Sequence, residues 1–291
     1  MIKKGIILAG GRGTRLSPLT KVINKQLLPV YDKPLIFYPL SVLMLANIKK
    51  ILIIINRDQK KNFFNILGNG KRYGISLSYK IQKKPNGLPE AFKIGKKFIG
   101  KDNVALILGD NFFYGQGLSD NLKKSETFVN GALIFIKETN NPQNYGVIKF
   151  KNEKIFKIIE KPKKYISNKA ITGIYYFDNN VIKYAKSLTL SKRGETEIVD
   201  LLKIYQKYGQ LKYQKIGRGA LWSDAGKPDD LLNISNYVYG YEKLELFKIA
   251  CLEEISFKKK WINKKQIKNN IKFYGSCSYS DYLKKIIKQT I

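Results

Sequence analysis

The sequence predicts an α/β protein in which helices cover a mostly parallel central sheet and a helical C-terminal part follows. Two observations predict this class. In the first half, short apolar runs alternate with segments whose apolar residues recur every three or four positions. After residue 226, the pattern is helical to the end. With 291 residues, the chain is long enough to bury a substantial core.

The predicted elements of the first half alternate between strand and helix. Pro34 suits the first position of a helix, and Pro39 either kinks this helix or marks its true start. In order, the elements are a strand at Lys4–Ala9, a helix at Pro34–Ile48, a strand at Lys50–Ile55, a helix at Arg57–Gly70, a strand at Ser76–Gln82, a helix at Pro89–Gly100 and a strand at Val104–Asp110.

The second half mixes more strand into the pattern. The predicted strands are GALIFIK, YGVIKF, KIFKIIEKP and TGIYYFD, and two helices are expected around Asn180–Leu188 and Glu195–Tyr208. The chain shows no internal repeat and no linker-like segment. We therefore divide it into a core at residues 1–240 and a C-terminal helical segment at residues 241–291, within one globular unit.

Positive charge dominates the composition. The formal net charge is +32, but the lysines are scattered as pairs, and only Lys258–Lys265 concentrates them. This distribution favours a solvated surface over a dedicated nucleic-acid surface, so we expect no nucleic-acid partner. The excess charge favours long-range attraction of anionic substrates.

Residue types that are rare or missing exclude several kinds of site. The absence of histidine excludes Ser-His-Asp triads and His-ligated zinc, so any metal would have oxygen ligands, which points to Mg²⁺. Cys251 and Cys277 do not make a disulfide framework, and we expect a cytoplasmic protein. Apolar runs are too short to span a bilayer, and MIKKGIILAGG is interpreted as a buried strand rather than a signal peptide, so we expect no membrane contact.

A glycine-rich basic loop, Gly10–Leu16, follows the first predicted strand. It lacks the Gly-Lys-Ser/Thr of a Walker A loop, and as a dinucleotide fingerprint it has Leu16 at the third glycine position. A nucleoside triphosphate held by the loop, with Arg15 and Lys25 over its phosphates, suits two cations better. A tight turn with solvated arginines is the remaining alternative.

Several motifs give the sequence a family resemblance that covers nearly the whole chain. LAGGRGTRLSPLT and KQLLPVYDKPLIFYPLSVLMLA resemble the start of the sugar-nucleotide pyrophosphorylases, most closely the thymidylyltransferases that act on glucose 1-phosphate. In family order follow LGDNFFYG, NYGVIKF, EKPK, AITGIYYFD, RGETEIVD, GRGALWSDAG and CLEEISFKKKWI. The resemblance implies a Rossmann-like nucleotidyltransferase core and transfer of a thymidylyl group from dTTP to α-D-glucose 1-phosphate. That reaction is the first step of dTDP-rhamnose-type sugar biosynthesis.

The resemblance also implies the roles of individual residues. Asp110 and Asp224 would hold Mg²⁺, while Arg15, Lys25 and Lys161 would be catalytic. The expected nucleotide-binding residues are Leu8, Gly10, Gly11, Gly13, Thr14, Arg15, Lys25, Gln26, Gln82, Pro85, Gly87 and Asp110. The expected sugar-phosphate-binding residues are Asn111, Tyr145, Gly146, Glu160, Lys161, Ile171 and Arg193. Asn86 departs from the usual Asp of the family, and Pro89 and Glu90 replace small or amide residues beside the thymine-reading positions Gln82 and Gly87.

Members of this family are commonly homotetramers, and many are inhibited by dTDP-rhamnose at a second site. The residues here that match this possible regulatory site are Tyr114, Gly115, Gly217, Arg218, Glu254, Ile255 and Lys258. Gln116 stands where His is common and Lys258 where Arg is common. Two alternatives stay open: a pyrophosphorylase that uses UTP or another hexose 1-phosphate, and a non-catalytic anion- or nucleic-acid-binding protein of the same fold.

Overall fold

The computed structural model describes residues 2–126 and 130–289, and its centre is a nine-stranded mixed sheet. The strands are β1 (Lys4–Ala9), β2 (Pro29–Val30), β3 (Lys33–Pro34), β4 (Lys50–Ile55), β5 (Ser76–Ile81), β6 (Val104–Leu108), β7 (Phe112–Gly115), β8 (Ala132–Glu138), β9 (Gly146–Lys151), β10 (Lys154–Glu160), β11 (Lys169–Phe177), β12 (Leu211–Lys215) and β13 (Ala220–Ser223). The helices are α1 (Phe37–Leu45), α2 (Lys60–Leu67), α3 (Glu90–Ile94), α4 (Lys96–Ile99), α5 (Leu118–Glu126), α6 (Val181–Ser187), α7 (Ile198–Lys207), α8 (Pro228–Glu245), α9 (Leu252–Lys258), α10 (Lys264–Tyr274) and α11 (Ser278–Gln289).

The first four core strands form the parallel part of the sheet, in the order β5-β4-β1-β6. Strand β11 then runs antiparallel to its neighbours and divides the sheet. Its C-terminal half, Ile174–Phe177, pairs with β6, whereas Ala170 near its N-terminal end pairs with β9. On its other edge, β11 pairs with β8, which pairs in parallel with β12. The sheet therefore forks at residues 171–173 of β11.

Helices cover both faces of the sheet because side chains alternate along each strand. On β1, Ile7 and Ala9 face a core shared with α1, α2 and α5. Ile6 and Leu8 face the opposite core, shared with α3, α4, α6 and α7. The predicted α/β class is confirmed.

Three predicted helices differ in detail from the observed ones. The helix expected from Pro34 begins at Phe37, because Lys33 and Pro34 pair with Pro29 and Val30 in a short hairpin. Pro39 lies in the first turn of α1, where its missing N–H removes no helical hydrogen bond. The helix expected at 89–100 is divided at Gly95, and the one expected at 57–70 begins with a 3₁₀ turn at Arg57–Gln59.

The C-terminal part consists of helices, as predicted. Helix α8 packs against β2 and the segment around Leu16 through Leu231, Ile234 and Val238. A separate core between α9, α10 and α11 includes Ile267 and Leu283. Helix α8 runs through residue 240, and the division of the chain at that residue stays a prediction. No helix in the described part of the chain is long and apolar enough to cross a bilayer.

Candidate active site

The candidate site is a cleft at the fork of the sheet. It lies beyond the C-terminal ends of β1 and β6, where parallel sheets commonly bind ligands. Its cavity has a volume of about 320 Å³, and the forked stretch of β11, Ile171–Gly173, lies in its wall. Gly173 has no room for a side chain, because a Cβ there would lie 2.4 Å from Asn111 Oδ1.

The glycine-rich loop is folded tightly against the end of β1. Gly13 has a φ of +62°, and a Cβ there would lie 2.9 Å from Thr20 and 3.0 Å from Lys25. Thr20 donates a hydrogen bond to the Gly13 carbonyl at 2.9 Å, and Leu16 is buried. The loop thus requires glycine at residue 13 for its conformation and for its packing on Lys25.

Lys25 links the two predicted metal-binding aspartates. Its ammonium lies 2.7 Å from Asp110 Oδ2 and donates to the backbone oxygen of Asp224 at 3.4 Å. The Lys25 side chain is almost fully buried, and a buried ammonium needs such partners. Burial raises the pKa of Asp224, and the nearby charge of Asp110 raises it further, whereas Lys25 lowers it. The two carboxylates are therefore close enough to repel each other.

A hydrogen-bonded row of side chains supports these carboxylates. Tyr145 donates to Asp224 Oδ1 at 3.2 Å, and Asn111 donates to Asp110 Oδ1 at 3.0 Å. Trp222 donates to Asn111 Oδ1 at 2.7 Å, and its ring lies 4.8 Å from that of Tyr145. The row contacts Asp110 and Asp224 through oxygens that Lys25 does not contact.

The other wall of the cleft carries mixed charge. Glu160 ends β10, and Lys161 follows it with a φ of +43°, a rarely populated conformation for a non-glycine residue. The Lys161 backbone N–H donates to the Tyr145 carbonyl at 3.0 Å. Arg193 lies 3.8 Å from Glu160 and 3.4 Å from Glu197. Burial raises the pKa of Glu160, against the lowering effect of Lys161.

The predicted base-reading positions, Gln82 and Gly87, lie in the same cleft. Gln82 follows β5 and is buried, and a Cβ on Gly10 would lie 2.3 Å from its Oε1. Gly87 has a φ of +101° and packs on the backbone of Thr196, whose carbonyl oxygen would be 1.9 Å from a Cβ there. Gln26 is buried, and its Oε1 has no hydrogen-bond partner among the described residues.

The structure brings most of the predicted site residues into this one cleft. Those that line it are Leu8, Gly11, Gln26, Gln82, Pro85, Gly87, Asp110, Asn111, Tyr145, Gly146, Glu160, Lys161, Ile171, Arg193 and Asp224. Lys25 reaches it through Asp110, and the Arg15 guanidinium lies beside Gly226 and Asp224. Thr14 instead lines a second cavity on the far side of Gln82 and Pro85.

The predicted regulatory residues lie elsewhere, in two places. Gly115 pairs with Ala220, and Gln116 donates to the Gly219 carbonyl, so this part joins β7 to β13. Glu254 and Lys258 form an ion pair of 2.7 Å on α9 and line a separate cavity with Trp261.

Sequence reasoning missed several residues of the cleft. Trp222 and Thr196 are the most informative, because one orients Asn111 and the other supports Gly87. Trp222 had a detectable signal: it stands two residues before Asp224, a spacing that places both side chains on one face of an extended segment. No sequence signal pointed to Thr196, because the backbone oxygen to which its hydroxyl donates belongs to Asn86, 110 positions away.

The oxygen ligands in this cleft suit one hard cation whose remaining ligands come from a substrate and from water. Among the described residues, no group of three or more His, Cys, Asp or Glu side chains is arranged so that it could hold a metal ion. Asp110 and Asp224 would therefore supply two oxygen ligands, and phosphate oxygens and water the rest, an arrangement that is common for Mg²⁺.

Comparisons with known proteins agree on one family. A family model for nucleotidyl transferases matches residues 4–239. A glucose-1-phosphate thymidylyltransferase from Neisseria meningitidis is 44% identical over 98% of this chain and 100% of its own length. A solved structure described as such an enzyme from Bacillus anthracis superposes with a TM-score of 0.75 and 38% identity, covering 80% of this chain and 94% of its own. A UDP-glucose pyrophosphorylase bound to UDP-glucose gives a TM-score of 0.73 and 27% identity, covering 83% of this chain and 100% of its own.

Proposed function

The chain belongs to the nucleotidyl transferase family, among its glucose-1-phosphate thymidylyltransferases, and we propose that the forked cleft is where its two substrates react. The enzyme transfers a thymidylyl group from dTTP to α-D-glucose 1-phosphate. A phosphate oxygen of the sugar attacks the α-phosphorus, the bond from that phosphorus to the bridging β-phosphate oxygen breaks, and pyrophosphate leaves. The products are dTDP-glucose and pyrophosphate.

Charge neutralisation and positioning account for the catalysis that we propose. The attacking phosphate is already anionic at pH 7, so no general base is needed, which suits a chain without histidine. Arg15 neutralises the departing pyrophosphate, Lys25 the triphosphate, and Lys161 the sugar phosphate. The geometry that supports these roles is the burial of Lys25 beside Asp110 and the position of the Arg15 guanidinium beside Gly226, two residues after Asp224.

The family uses a divalent metal ion, and we propose Mg²⁺ held by Asp110 and Asp224. When bound, such an ion neutralises negative charge on the triphosphate. The geometry that supports this site is the approach of Asp110 and Asp224 to the same ammonium of Lys25, and the charge of Asp110 also raises the pKa of Asp224, which an added cation would counteract. Tyr145 and Asn111 orient the carboxylates for this purpose.

The remaining polar groups suit the two substrates. Gln26 Oε1 is a buried acceptor that a deoxyribose hydroxyl could satisfy, with Leu8 in the same cleft, and we propose that Leu8 and Gly10 contact the nucleoside. Glu160 is an acceptor for sugar hydroxyls, and Gly146 leaves its carboxylate room, since a Cβ there would lie 3.1 Å from Glu160 Oε2.

One observation carries this proposal: buried Lys25 joins Asp110 and Asp224, which come from distant parts of the chain. Asp110→Asn should lower kcat at least about 10²-fold at saturating Mg²⁺. Asp281→Asn, on the exposed face of α11, is the matched control. Activity near that of the unchanged enzyme would remove Asp110 from the mechanism.

A panel of nucleotides tests the substrate. We expect pyrophosphate release with dTTP and glucose 1-phosphate to exceed release with UTP, dCTP or dATP. Because the structure is similar to that of a UDP-glucose pyrophosphorylase, UTP is the first alternative nucleotide to test. Other hexose 1-phosphates are then tested as alternatives to glucose 1-phosphate. A larger kcat/KM with UTP would overturn the thymidylyl assignment while leaving the cleft chemistry intact.

We further propose a homotetramer with feedback inhibition by dTDP-rhamnose at a second site between subunits. The residues of this site would be Tyr114, Gly115, Gly217, Arg218, Glu254, Ile255 and Lys258, of which Glu254 and Lys258 line one cavity. Lys258 supplies a point charge but not the bidentate fork of Arg, so inhibition should be weaker than with Arg at this position. Lys258→Arg should tighten inhibition about 5- to 30-fold with uninhibited kcat unchanged. If millimolar dTDP-rhamnose inhibits neither the unchanged enzyme nor Lys258→Arg, the proposed feedback inhibition is wrong. Sedimentation velocity tests the proposed homotetramer separately.

A further inference from the structure

A second cavity lies beside the cleft, beyond the C-terminal ends of β1, β4 and β5. It shares Gln82 and Pro85 with the cleft, and its other lining residues differ from those of the cleft. Thr14 lines this second cavity and not the cleft, whereas its neighbour Arg15 lies beside Gly226. The glycine-rich loop therefore separates two openings at the edge of the sheet where parallel strands commonly bind ligands.

Positive charge prevails in the lining of the second cavity. Four cationic side chains come from the segments that follow the three strands, namely Arg12, Lys21, Arg57 and Lys83. None of these four cations has an ion-pair partner within the described ranges 2–126 and 130–289. Of the described residues in the lining, only Asp58 is acidic, and its Oδ2 accepts from Gln59 Nε2 at 2.9 Å. The charge of this lining therefore favours an anion.

Asn24 adds a buried donor whose direction is fixed. The residue lines the second cavity although it is only 7% exposed. Its Oδ1 accepts a hydrogen bond from the Gln26 backbone N–H at 2.9 Å, which only the oxygen end of the amide can do. The NH₂ group is the end that remains to face the cavity, and it has no hydrogen-bond partner among the described residues. Because buried polar groups are generally satisfied, this NH₂ group calls for an acceptor in the cavity.

We propose that the second cavity is a separate anion site, which binds a phosphate-type polyanion such as inorganic pyrophosphate. This site goes beyond the proposed function, which places both substrates in the cleft; only pyrophosphate as the local source of the anion rests on that function. The guanidinium groups of Arg12 and Arg57 can each donate paired hydrogen bonds to phosphate oxygens. The hydroxyls of Thr14 and Ser17 can donate as well. A single carboxylate would leave most of these donors unused, whereas two linked phosphates offer acceptors to both walls.

Calorimetric titration with inorganic pyrophosphate tests the site in protein whose cleft is filled with dTTP. Metal and glucose 1-phosphate are left out, so no turnover occurs. We expect about one equivalent of pyrophosphate to bind. In Arg12→Ala/Arg57→Ala the Kd for pyrophosphate should rise at least about tenfold, because charge-assisted hydrogen bonds are lost, while kcat at saturating substrates stays within about twofold.

Two further variants show whether the effect belongs to this cavity. Lys183→Ala/Lys186→Ala removes the same charge from exposed positions of α6 and should leave the Kd within about twofold. Asn24→Asp keeps an oxygen for the Gln26 N–H but puts a negatively charged oxygen in place of the NH₂ group, so its Kd should rise at least about tenfold. An unchanged Kd in Asn24→Asp, or equal losses in the α6 control, would overturn the inference.

The titration also separates this site from the nucleotide site. If dTTP displaces pyrophosphate, or if protein that holds one equivalent of dTTP binds none, the cavity is not a separate anion site and the inference is wrong. A second equivalent of dTTP that only Arg12→Ala/Arg57→Ala loses would support the site and identify a nucleotide as the source of its phosphate. If dTTP gives no binding heat at all, the proposed function fails, and the same pyrophosphate titrations of the unliganded variants still decide the inference.

Discussion

Arg15 is the residue that we propose to act on the leaving pyrophosphate. It lies in the 3₁₀ turn Thr14–Leu16, and its guanidinium lies beside Gly226, two residues after Asp224. Arg15→Ala should lower kcat about 10²-fold and change KM for glucose 1-phosphate much less, because the contact is strongest in the transition state. Steady-state kinetics check this, with Arg12→Ala from the same loop as control. A dominant effect on that KM would exchange the roles of Arg15 and Lys161.

The buried carboxylate of Asp224 is expected to lower the stability of the folded protein. Burial and the charge of Asp110 raise its pKa in the folded protein. A carboxylate with a raised folded-state pKa costs stability when it is ionised, so the cost is present above that pKa and disappears as pH falls through it. Asp224→Asn should therefore increase the free energy of unfolding at pH 8 and increase it less at lower pH, while activity is lost.

Urea unfolding of the metal-free and nucleotide-free protein at pH 8 and pH 5 measures this effect. A lower free energy of unfolding for Asp224→Asn at pH 8 would mean that the attraction of Lys25 and the hydrogen bond from Tyr145 outweigh the burial of the Asp224 carboxylate.

Single residues were predictable where they follow a recognisable motif and hard to predict where their partners are remote. Asp110 comes two residues after a buried strand, and its place at the ligand edge followed from that position. The bond from Trp222 to Asn111 spans 111 positions, and the pairing of Thr196 with Asn86 spans 110. Periodicity and propensity are local signals, so they carry no information on such contacts.

At the scale of elements, long apolar strands were predictable and short ones were not. β4 is buried along most of its length, and the run KILIII predicts it directly. β7 and β13 have four residues each and form a separate two-stranded sheet, and β12 alternates too weakly to stand out. The fork in β11 depends on a register shift between Ile171 and Tyr175, which is set by its partners rather than by its own sequence.

Gly87 joins two loops that come from opposite walls of the cleft. Its positive φ and its packing on the Thr196 carbonyl leave no space for a side chain. Gly87→Ala should destabilise the protein by about 2 kcal/mol or more and raise KM for dTTP and glucose 1-phosphate together. Gly194→Ala is the matched control: its φ is also positive, but no described residue lies within 4 Å of where a Cβ would be, so only the conformational cost of about 1 kcal/mol applies. Equal costs at both positions would contradict the role of the contact.

At the scale of the whole molecule, a buried cluster of charges fastens the C-terminal helices to the core. Glu242 of α8 lies 3.1 Å from Lys33 and 3.2 Å from Lys248, and it accepts from the Ile249 backbone N–H at 2.8 Å. Asp32 contacts both lysines as well. Burial alone lowers the pKa of Lys248, but Asp32 and Glu242 raise it overall above its ordinary value, so these two carboxylates hold Lys248 in its charged form.

Removal of the Glu242 charge should therefore destabilise the whole molecule. Glu242→Gln leaves two buried ammonium groups to share the charge of Asp32, and we expect a loss of about 3 kcal/mol in the free energy of unfolding. Glu245→Gln, at the exposed end of the same helix, should change the stability by less than about 0.5 kcal/mol.

The two tryptophans can show whether that loss is shared by both parts of the chain. Trp222 lies in the cleft, and Trp261 lies beside α9. Trp261→Phe therefore leaves Trp222 as the fluorescent reporter of the core, and Trp222→Phe leaves Trp261 as the reporter of the C-terminal part. If residues 1–240 and 241–291 form one cooperative unit, Glu242→Gln should shift the urea midpoint of both reporters equally. A shift of the Trp261 signal alone would show that the C-terminal helices unfold separately, and that the charge cluster joins two units rather than completing one.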